Sequence, residues 1–278
     1  MNDPFPSQCM SQCILDETLA KNRKNLFIQH KRGDCQLPNG DSEDTEIPID
    51  VNKFLALLIQ YSTSPKGYSG VRVYFATIPD DQGPGIPTGR AGHLTLIAAA
   101  TLESSFGTTK YEFDDPGSYY HLFDQCYGLD ATTANGWINH FQTDRRPDLI
   151  DAGRIFTNTN GFVETSSLWY PMSTIKGSVI SPTVGDIGMI GALQCGLGYT
   201  PNPITGMSAA YACFLQNENE PAKFPYFQLT VNFILHQKND HGLGRRHLVL
   251  GSTSLRGLSD ADTGLPCPPS NTCPPGSS

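Results

Sequence analysis

Two strand-like runs, joined by a turn-rich connection, are the feature that most constrains the fold. The runs are GVRVYFA at residues 70–76 and HLTLIAA at residues 93–99, and residues 79–87 between them are rich in Pro, Asp and Gly. β-Branched and aromatic residues bounded by turn formers are typical of a strand–loop–strand unit. The pattern therefore predicts a β-hairpin over residues 70–102.

The same kind of hairpin recurs in the second half of the chain. GMSAAYACFLQN at residues 206–217 aligns with GVRVYFATIPDD at residues 70–81, and QLTVN at 228–232 aligns with HLTLI at 93–97. Helical segments precede both hairpins in the same order. We interpret this as an internal duplication; the alternative is that two unrelated units share similar hairpins.

Strands this close together in the sequence leave no room for a β–α–β crossover, so antiparallel pairing is expected. The predicted fold class is α+β, with two similar lobes that each pack helices on a small antiparallel sheet. The predicted division is a first lobe at 1–115, a second lobe at 116–260 and a Pro/Cys-rich tail at 261–278.

The pattern outside the hairpins indicates helices and loops. Apolar spacing predicts a helix over 9–31, and Pro48 is expected to open a second helix. Thr132 and Thr133 are expected to cap a third helix, which runs to about residue 145.

The Gly-rich residues 185–206 contain neither G-x-x-x-x-G-K-[ST] nor G-x-G-x-x-G and favour a loop with close backbone packing. Residues 33–46 are polar and acidic and predict an exposed loop.

Charge and hydropathy exclude several classes of protein. A formal net charge of −8 argues against a general nucleic-acid binder, which normally carries a basic face. No run of 18 apolar residues is present, so no membrane span is expected. The first residues lack the basic and apolar regions of a secretory signal, so we expect a cytoplasmic protein, with export by another route left open.

The 8 cysteines form no C-x-x-C pair. Cys9 and Cys13, four residues apart, together with Cys35 offer three soft metal ligands. Cys267 and Cys273 in the tail offer a small disulfide loop or a further soft-metal site. The favoured interpretation is free thiols in a reducing compartment and a tail stiffened by proline, and no metal or cofactor is predicted.

Candidate catalytic residues follow no known motif, because neither G-x-S-x-G nor H-E-x-x-H is present. His93 and His236 lie at strand ends, where a single histidine is usually a surface residue. Arg72 alternates with valines and is expected on the solvent face, or as a buried polar anchor if the lobes stack sheet to sheet. The acidic and aromatic residues 103–131 predict a long surface connection rather than a cation or sugar site.

One family resemblance accompanies this pattern. VRVYFA is preceded by an apolar helical segment and followed by HLTLI and by a terminal PCPP…CPP. These features resemble a group of uncharacterised proteins from gliding and marine Bacteroidota, which carry an IRxYF…LTL hairpin and a C-terminal PCPPxC tail. The resemblance covers about residues 47–102 and 265–275. It implies no functional residues, and the tail here departs from it by doubling the Cys-Pro-Pro unit.

These observations favour a non-enzymatic protein that acts through protein–protein contacts or self-assembly, with protein partners or a homo-oligomer. The first alternative is a hydrolase-type enzyme with its site in the cleft between the two lobes, because ligand sites prefer domain interfaces. The second alternative is a thiol-based metal-binding or redox protein.

Overall fold

The computed structural model describes residues 14–15, 17–33, 37, 43–79, 89–106, 109–151, 166–181, 184–198, 203–215, 229–237, 246–251 and 265–266. The helices are α1 Glu17–His30, α2 Val51–Thr63, α3 Ala131–His140, α4 Arg146–Asp151, α5 Met172–Lys176 and α6 Gly188–Gly198, and a π-helical turn, Phe141–Arg145, joins α3 to α4. The strands are β1 Ile14–Leu15, β2 Glu46–Ile49, β3 Gly70–Thr77, β4 Leu94–Phe106, β5 Thr109–Asp114, β6 Tyr120–His121, β7 Tyr127–Gly128, β8 Ser167–Pro171, β9 Ser178–Ser181, β10 Val184–Asp186, β11 Ile204–Cys213, β12 Leu229–Gln237, β13 Arg246–Gly251 and β14 Leu265–Pro266.

Two larger sheets organise these strands. The five-stranded sheet has the order β1-β13-β12-β11-β2, and the seven-stranded sheet has the order β14-β8-β3-β4-β6-β7 with β5 also paired to β4. The strands β9 and β10 form a separate pair. All strand pairs within these sheets are antiparallel, and helices pack beside them, so the predicted α+β class is confirmed.

Both predicted hairpins are present, one in each large sheet. In the first, β3 pairs with β4 and Gly70 lies opposite Thr101. In the second, β11 pairs with β12 and Gly206 lies opposite His236. Every residue of β3 is buried, which explains why its sequence is a nearly continuous apolar run.

The two sheets each combine strands from both sides of the predicted boundary at residues 115 and 116. In the five-stranded sheet β2 pairs with β11, and in the seven-stranded sheet β3 pairs with β8. The structure does not show an internal duplication. The division into 1–115, 116–260 and 261–278 stays a prediction.

A shared core lies between the two sheets and helix α2. The ring of Phe54 in α2 lies 5.2 Å from the ring of Phe233 in β12, and Phe233 lies 6.5 Å from Tyr170 in β8. Val71, Val73 and other buried side chains of β3 belong to the same cluster. Because aromatic rings bury large apolar areas, this layer supplies much of the hydrophobic stabilisation.

The opposite faces of the sheets are covered by helices. Helix α1 packs on the five-stranded sheet, where the amide of Asn232 donates to the carbonyl of Ala20 at 3.1 Å. Helix α3 packs on the seven-stranded sheet, where Trp137 and Ile138 join a cluster with Tyr74 of β3. No helix among the described residues is long and apolar enough to cross a membrane.

The start of α2 differs from the prediction. Pro48 lies in strand β2, and the helix begins after Asp50. The Asp50 carboxylate accepts the backbone N–H groups of Asn52 and Lys53 at 2.9 and 3.1 Å. These are the donors that the first turn of a helix leaves without partners, so the aspartate rather than the proline defines this start.

Two further helices begin elsewhere than expected. The cap of α3 is Asp130, whose carboxylate accepts the Thr133 N–H at 2.9 Å and the Thr133 hydroxyl at 2.7 Å. Helix α1 begins at Glu17 rather than near residue 9.

The predicted loop over 185–206 is wrong for helix α6, Gly188–Gly198. This helix buries Met189 and Leu193 despite its glycines.

Candidate active site

The candidate site lies where segments leading into the two sheets meet. Glu43 and Asp44 lie just before β2 of the five-stranded sheet, and His93 immediately precedes β4 of the seven-stranded sheet. One ligand atom from each of these three side chains lies within 4.8 Å of the others. The fold therefore joins two carboxylates and an imidazole that are about fifty positions apart in the sequence.

Glu43 is the fixed point of the site. Its side chain is wholly buried, its Oε2 accepts the Leu94 N–H at 2.8 Å, and its Oε1 accepts the Asp44 N–H at 2.9 Å. Its backbone carbonyl accepts Nε–H of Arg32 at 2.7 Å. A buried carboxylate is costly unless hydrogen bonds satisfy its oxygens, so this network holds Glu43 in a single orientation.

His93 makes its contact with Glu43 through one ring nitrogen. Nδ1 lies 3.2 Å from Oε1 of Glu43 and 3.4 Å from Oδ2 of Asp44. Nε2 has no hydrogen-bond partner among the described residues, and the side chain is 11% exposed. Because carboxylates are acceptors, Nδ1 is the donor in these contacts, and Nε2 is the ring nitrogen left for a ligand.

Arg90 lies on the other side of Asp44. It forms an ion pair with Asp44 through Nη1, and its guanidinium lies 4.9 Å from the centre of the Phe123 ring. Nε and Nη2 of Arg90 are buried and have no acceptor among the described residues. Asp44 therefore holds Nη1 and the Phe123 ring lies against the guanidinium, whereas the Nε/Nη2 edge has no acceptor among the described residues.

Two more arginines donate hydrogen bonds to backbone carbonyls of the candidate site. Nε of Arg32 donates to the carbonyl of Glu43 at 2.7 Å, and Nη2 of Arg145 donates to the carbonyl of Gly92 at 3.1 Å. Two guanidinium groups therefore hold the backbone next to Glu43 and His93 in place.

His121 is a second histidine near Arg90, in a different state. It is wholly buried, its Nε2 lies 2.6 Å from Oγ1 of Thr95, and its ring contacts Phe123, Tyr127 and Trp137. Burial, together with the positive charge of Arg90, lowers the pKa of His121 to about 3. Its imidazole is neutral at physiological pH and too weak a base for efficient proton abstraction.

The cluster of Glu43, Asp44 and His93 also contains the donor atoms of a divalent-metal site. Asp44 already pairs with Arg90 through the oxygen that lies nearest to His93, and Oε1 of Glu43 already accepts a backbone N–H. A cation bound there would face the guanidinium. General acid–base chemistry therefore fits these contacts better than metal binding does.

The predictions for two single residues are corrected here. His93 was expected at the surface and is instead 9% exposed. Arg72 does not face solvent, because it is 2% exposed and pairs with Asp114 at 2.7 Å. Arg72 is thus a buried residue with a partner, as the alternative expected, but the two stacked lobes on which that alternative depended are not shown. The expected surface connection over 103–131 is wrong for Asp114, which belongs to strand β5.

His236 takes part in a polar link rather than in a nucleophilic pair. Its Nε2 lies 3.0 Å from Oγ of Ser208, and the same Oγ lies 2.9 Å from Oε2 of Glu46, which also pairs with Lys24. A carboxylate is the stronger acceptor, so the Ser208 hydroxyl donates to Glu46 and accepts from His236. This arrangement ties β2, β11, β12 and α1 together and does not activate the serine.

The cysteines divide into three groups. Cys126 and Cys213 are buried and not disulfide-bonded, as predicted, and burial raises the pKa of Cys126 to about 12. Cys195 is disulfide-bonded, so the free-thiol prediction is wrong for this residue. The predicted ligand set Cys9, Cys13 and Cys35 and the tail pair Cys267 and Cys273 lie outside the described residues.

Sequence reasoning missed most of the site. Glu43 and Asp44 fall in the segment predicted as an exposed loop, and Arg90 follows a turn-rich connection. No short motif links them, since their partners are about fifty residues away. The available signal was that His93 directly precedes a strongly predicted strand.

No protein-family model matches this chain, and no curated protein or solved structure matches it either.

Proposed function

We propose that this protein is a hydrolase-type enzyme in which His93 acts as the general base. The observation that carries the proposal is the contact between His93 Nδ1 and the wholly buried carboxylate of Glu43 at 3.2 Å. A carboxylate on one ring nitrogen fixes the tautomer and stabilises the imidazolium that forms when the other nitrogen takes a proton.

The reaction has a simple proton balance. Nε2 of His93 takes a proton from a water molecule, and the resulting hydroxide attacks a carbonyl or phosphoryl centre of the substrate. When the bond to the leaving group breaks, the imidazolium returns the same proton to that group. Glu43 is a positioning residue in this scheme, because it acts only through His93.

The position of the dyad supports this role. His93 keeps a small exposed area for a water molecule, while Glu43 is fully enclosed. Ligand sites are commonly found at junctions between structural units, and this dyad joins the lead-in segments of the two large sheets. This location is not the cleft between two lobes that the sequence predicted. The division of the chain into two lobes itself stays a prediction.

The protein–protein role favoured by the sequence also stays a prediction. Among the described residues the exposed large hydrophobic side chains are Ile28 in α1 and Phe113 in β5. Two such residues on separate elements do not define a contact surface. Light scattering over a range of concentrations tests self-assembly, and a strict monomer would weaken that role.

The enzyme proposal is tested with chromogenic substrates: p-nitrophenyl acetate, p-nitrophenyl phosphate and a peptide anilide. For the substrate that the wild-type protein cleaves, we expect His93→Gln to lower kcat/KM by about 10²–10⁴. The matched control is His140→Gln, because His140 also faces a carboxylate, Asp144 at 3.1 Å, but its side chain is 34% exposed and lies on α3.

Glu43→Gln separates a positioning role from a merely structural one. In Glu43→Gln we expect kcat to fall while KM stays near the wild-type value, because the imidazole loses the carboxylate that orients it but the substrate contacts remain. Absence of hydrolysis of all three substrates, or equal rates for His93→Gln and wild type, would contradict the proposal. Activity that depends on added Zn²⁺, with loss of Zn²⁺ binding in His93→Gln, would instead support a metal site.

A further inference from the structure

The unused edge of Arg90 is the strongest unexplained feature of the site. A guanidinium presents Nε–H and one Nη2–H side by side on one edge, in the spacing of two carboxylate or phosphate oxygens. In Arg90 these are the two nitrogens that are buried without an acceptor among the described residues, whereas Nη1 is paired with Asp44.

This edge is costly for the fold if nothing binds to it. Leaving a buried donor without a partner sacrifices its hydrogen bonds to water, and the loss is larger for a charged group. The Arg90 side chain as a whole is 17% exposed, but Nε and Nη2 lie below the surface, so an anion reaches them only when the groups that cover them move aside. The Phe123 ring, 4.9 Å from the guanidinium carbon, holds the plane in place.

We infer that the substrate carries an anionic oxygen group, a carboxylate or a phosphate, which binds in a bidentate manner to Nε and Nη2 of Arg90. This inference rests on the proposed function for its link to a reaction, but binding itself is independent of turnover. Arg90 contacts Asp44, and Asp44 contacts His93, so this chain of contacts would link the bound anionic group to the general base and let Arg90 orient the substrate.

The test measures binding of inorganic phosphate and of acetate to the full chain by isothermal titration calorimetry at constant ionic strength. We expect saturable binding of at least one anion by the wild-type protein and binding weaker by about tenfold or more in Arg90→Gln, since charge-assisted hydrogen bonds are lost. The control Lys66→Gln removes one positive charge from an exposed side chain paired with Asp115 and should bind as the wild type does.

A second variant guards against misfolding of Arg90→Gln. Arg90→Lys keeps the charge and a partner for Asp44 but lacks the two-pronged edge, so it should fold and still bind the anion more weakly than the wild type. In the wild-type protein the ¹⁵Nε resonance of Arg90 should shift on addition of the anion. Stronger binding of phosphate indicates a phosphoryl substrate, and stronger binding of acetate indicates a carboxylate.

The inference is overturned if the wild-type protein binds neither anion saturably, or if Arg90→Gln and Arg90→Lys both bind it as tightly as the wild type. His93→Gln distinguishes this outcome from failure of the proposed function, because it removes the general base and should leave anion binding intact. Binding that depends on Arg90, without hydrolysis of any tested substrate, would keep the anion site and reject the hydrolase.

Discussion

The guanidinium of Arg72 in β3 and the carboxylate of Asp114 in β5 form an ion pair with an N–O distance of 2.7 Å, and Arg72 is only 2% exposed. The hydroxyls of Tyr74 and Tyr119 donate to the same carboxylate at 2.6 and 3.1 Å. Asp114 thus accepts from two side chains of β3 and from Tyr119, just before β6, and these bonds attach β5 to both elements.

We predict that Arg72→Leu lowers the free energy of unfolding by about 3–5 kcal/mol, because it leaves the Asp114 carboxylate without its cation in a largely buried position. Urea unfolding followed by circular dichroism measures the loss. The control is Lys66→Leu, since the Lys66 side chain is 55% exposed in its pair with Asp115 and should contribute far less. Equal losses in the two variants would show that burial does not set the value of the Arg72 pair.

The position of Arg72 shows what local sequence patterns can and cannot predict. Its strand was predictable because β-branched and aromatic residues between turn formers favour extended chain. Its burial was not, because alternation along one strand identifies two faces but cannot tell that helix α3 covers the second one. The partner Asp114 lies 42 residues further along, in a segment that reads as a surface connection.

The candidate site was harder to predict for the same reason. Glu43 and His93 are 50 residues apart, and their contact depends on how the lead-in segments of two different sheets meet. Charged residues in turn-rich sequence usually lie in solvent, so burial of Glu43 has no local signal. The tertiary fold supplies the backbone N–H of Leu94, which together with the adjacent N–H of Asp44 makes this burial tolerable.

We predict that His121 makes the protein less stable as the pH falls from 6.5. Its pKa is lowered to about 3 in the folded chain by burial and by Arg90, while the unfolded chain takes up a proton near pH 6.5. The unfolded state therefore binds more protons in this window, and the free energy of unfolding should fall by about 1.4 kcal/mol per pH unit. Urea unfolding between pH 7 and pH 5 measures this slope, because these pH values lie above the range in which carboxylates titrate.

The variant His121→Gln keeps a hydrogen-bonding side chain near Thr95 and cannot titrate, so most of this slope should disappear. The control is the same comparison between pH 8 and pH 9, where His121 is neutral in the folded and the unfolded state and the two proteins should show the same slope. In the wild-type protein the imidazole NMR signals of His121 should not titrate over the same range. A slope that persists in His121→Gln would assign the pH dependence to another group.

We predict opposite effects for alanine at two glycines. A Cβ at Gly70 would lie 2.5 Å from Nε1 of Trp169 and 2.6 Å from the carbonyl oxygen of Tyr170, and β3 is paired on both sides there, so the strand cannot move away. Gly70→Ala should therefore lower the free energy of unfolding by about 1–3 kcal/mol.

At Gly136, in the middle of α3, nothing lies within 4 Å of the added carbon. Gly136→Ala should raise the free energy of unfolding by about 0.5–1 kcal/mol, because alanine loses less backbone entropy in a helix. Urea unfolding of the two single variants and the double variant measures both effects, and a neutral or stabilising Gly70→Ala would contradict the close approach of Trp169 to β3.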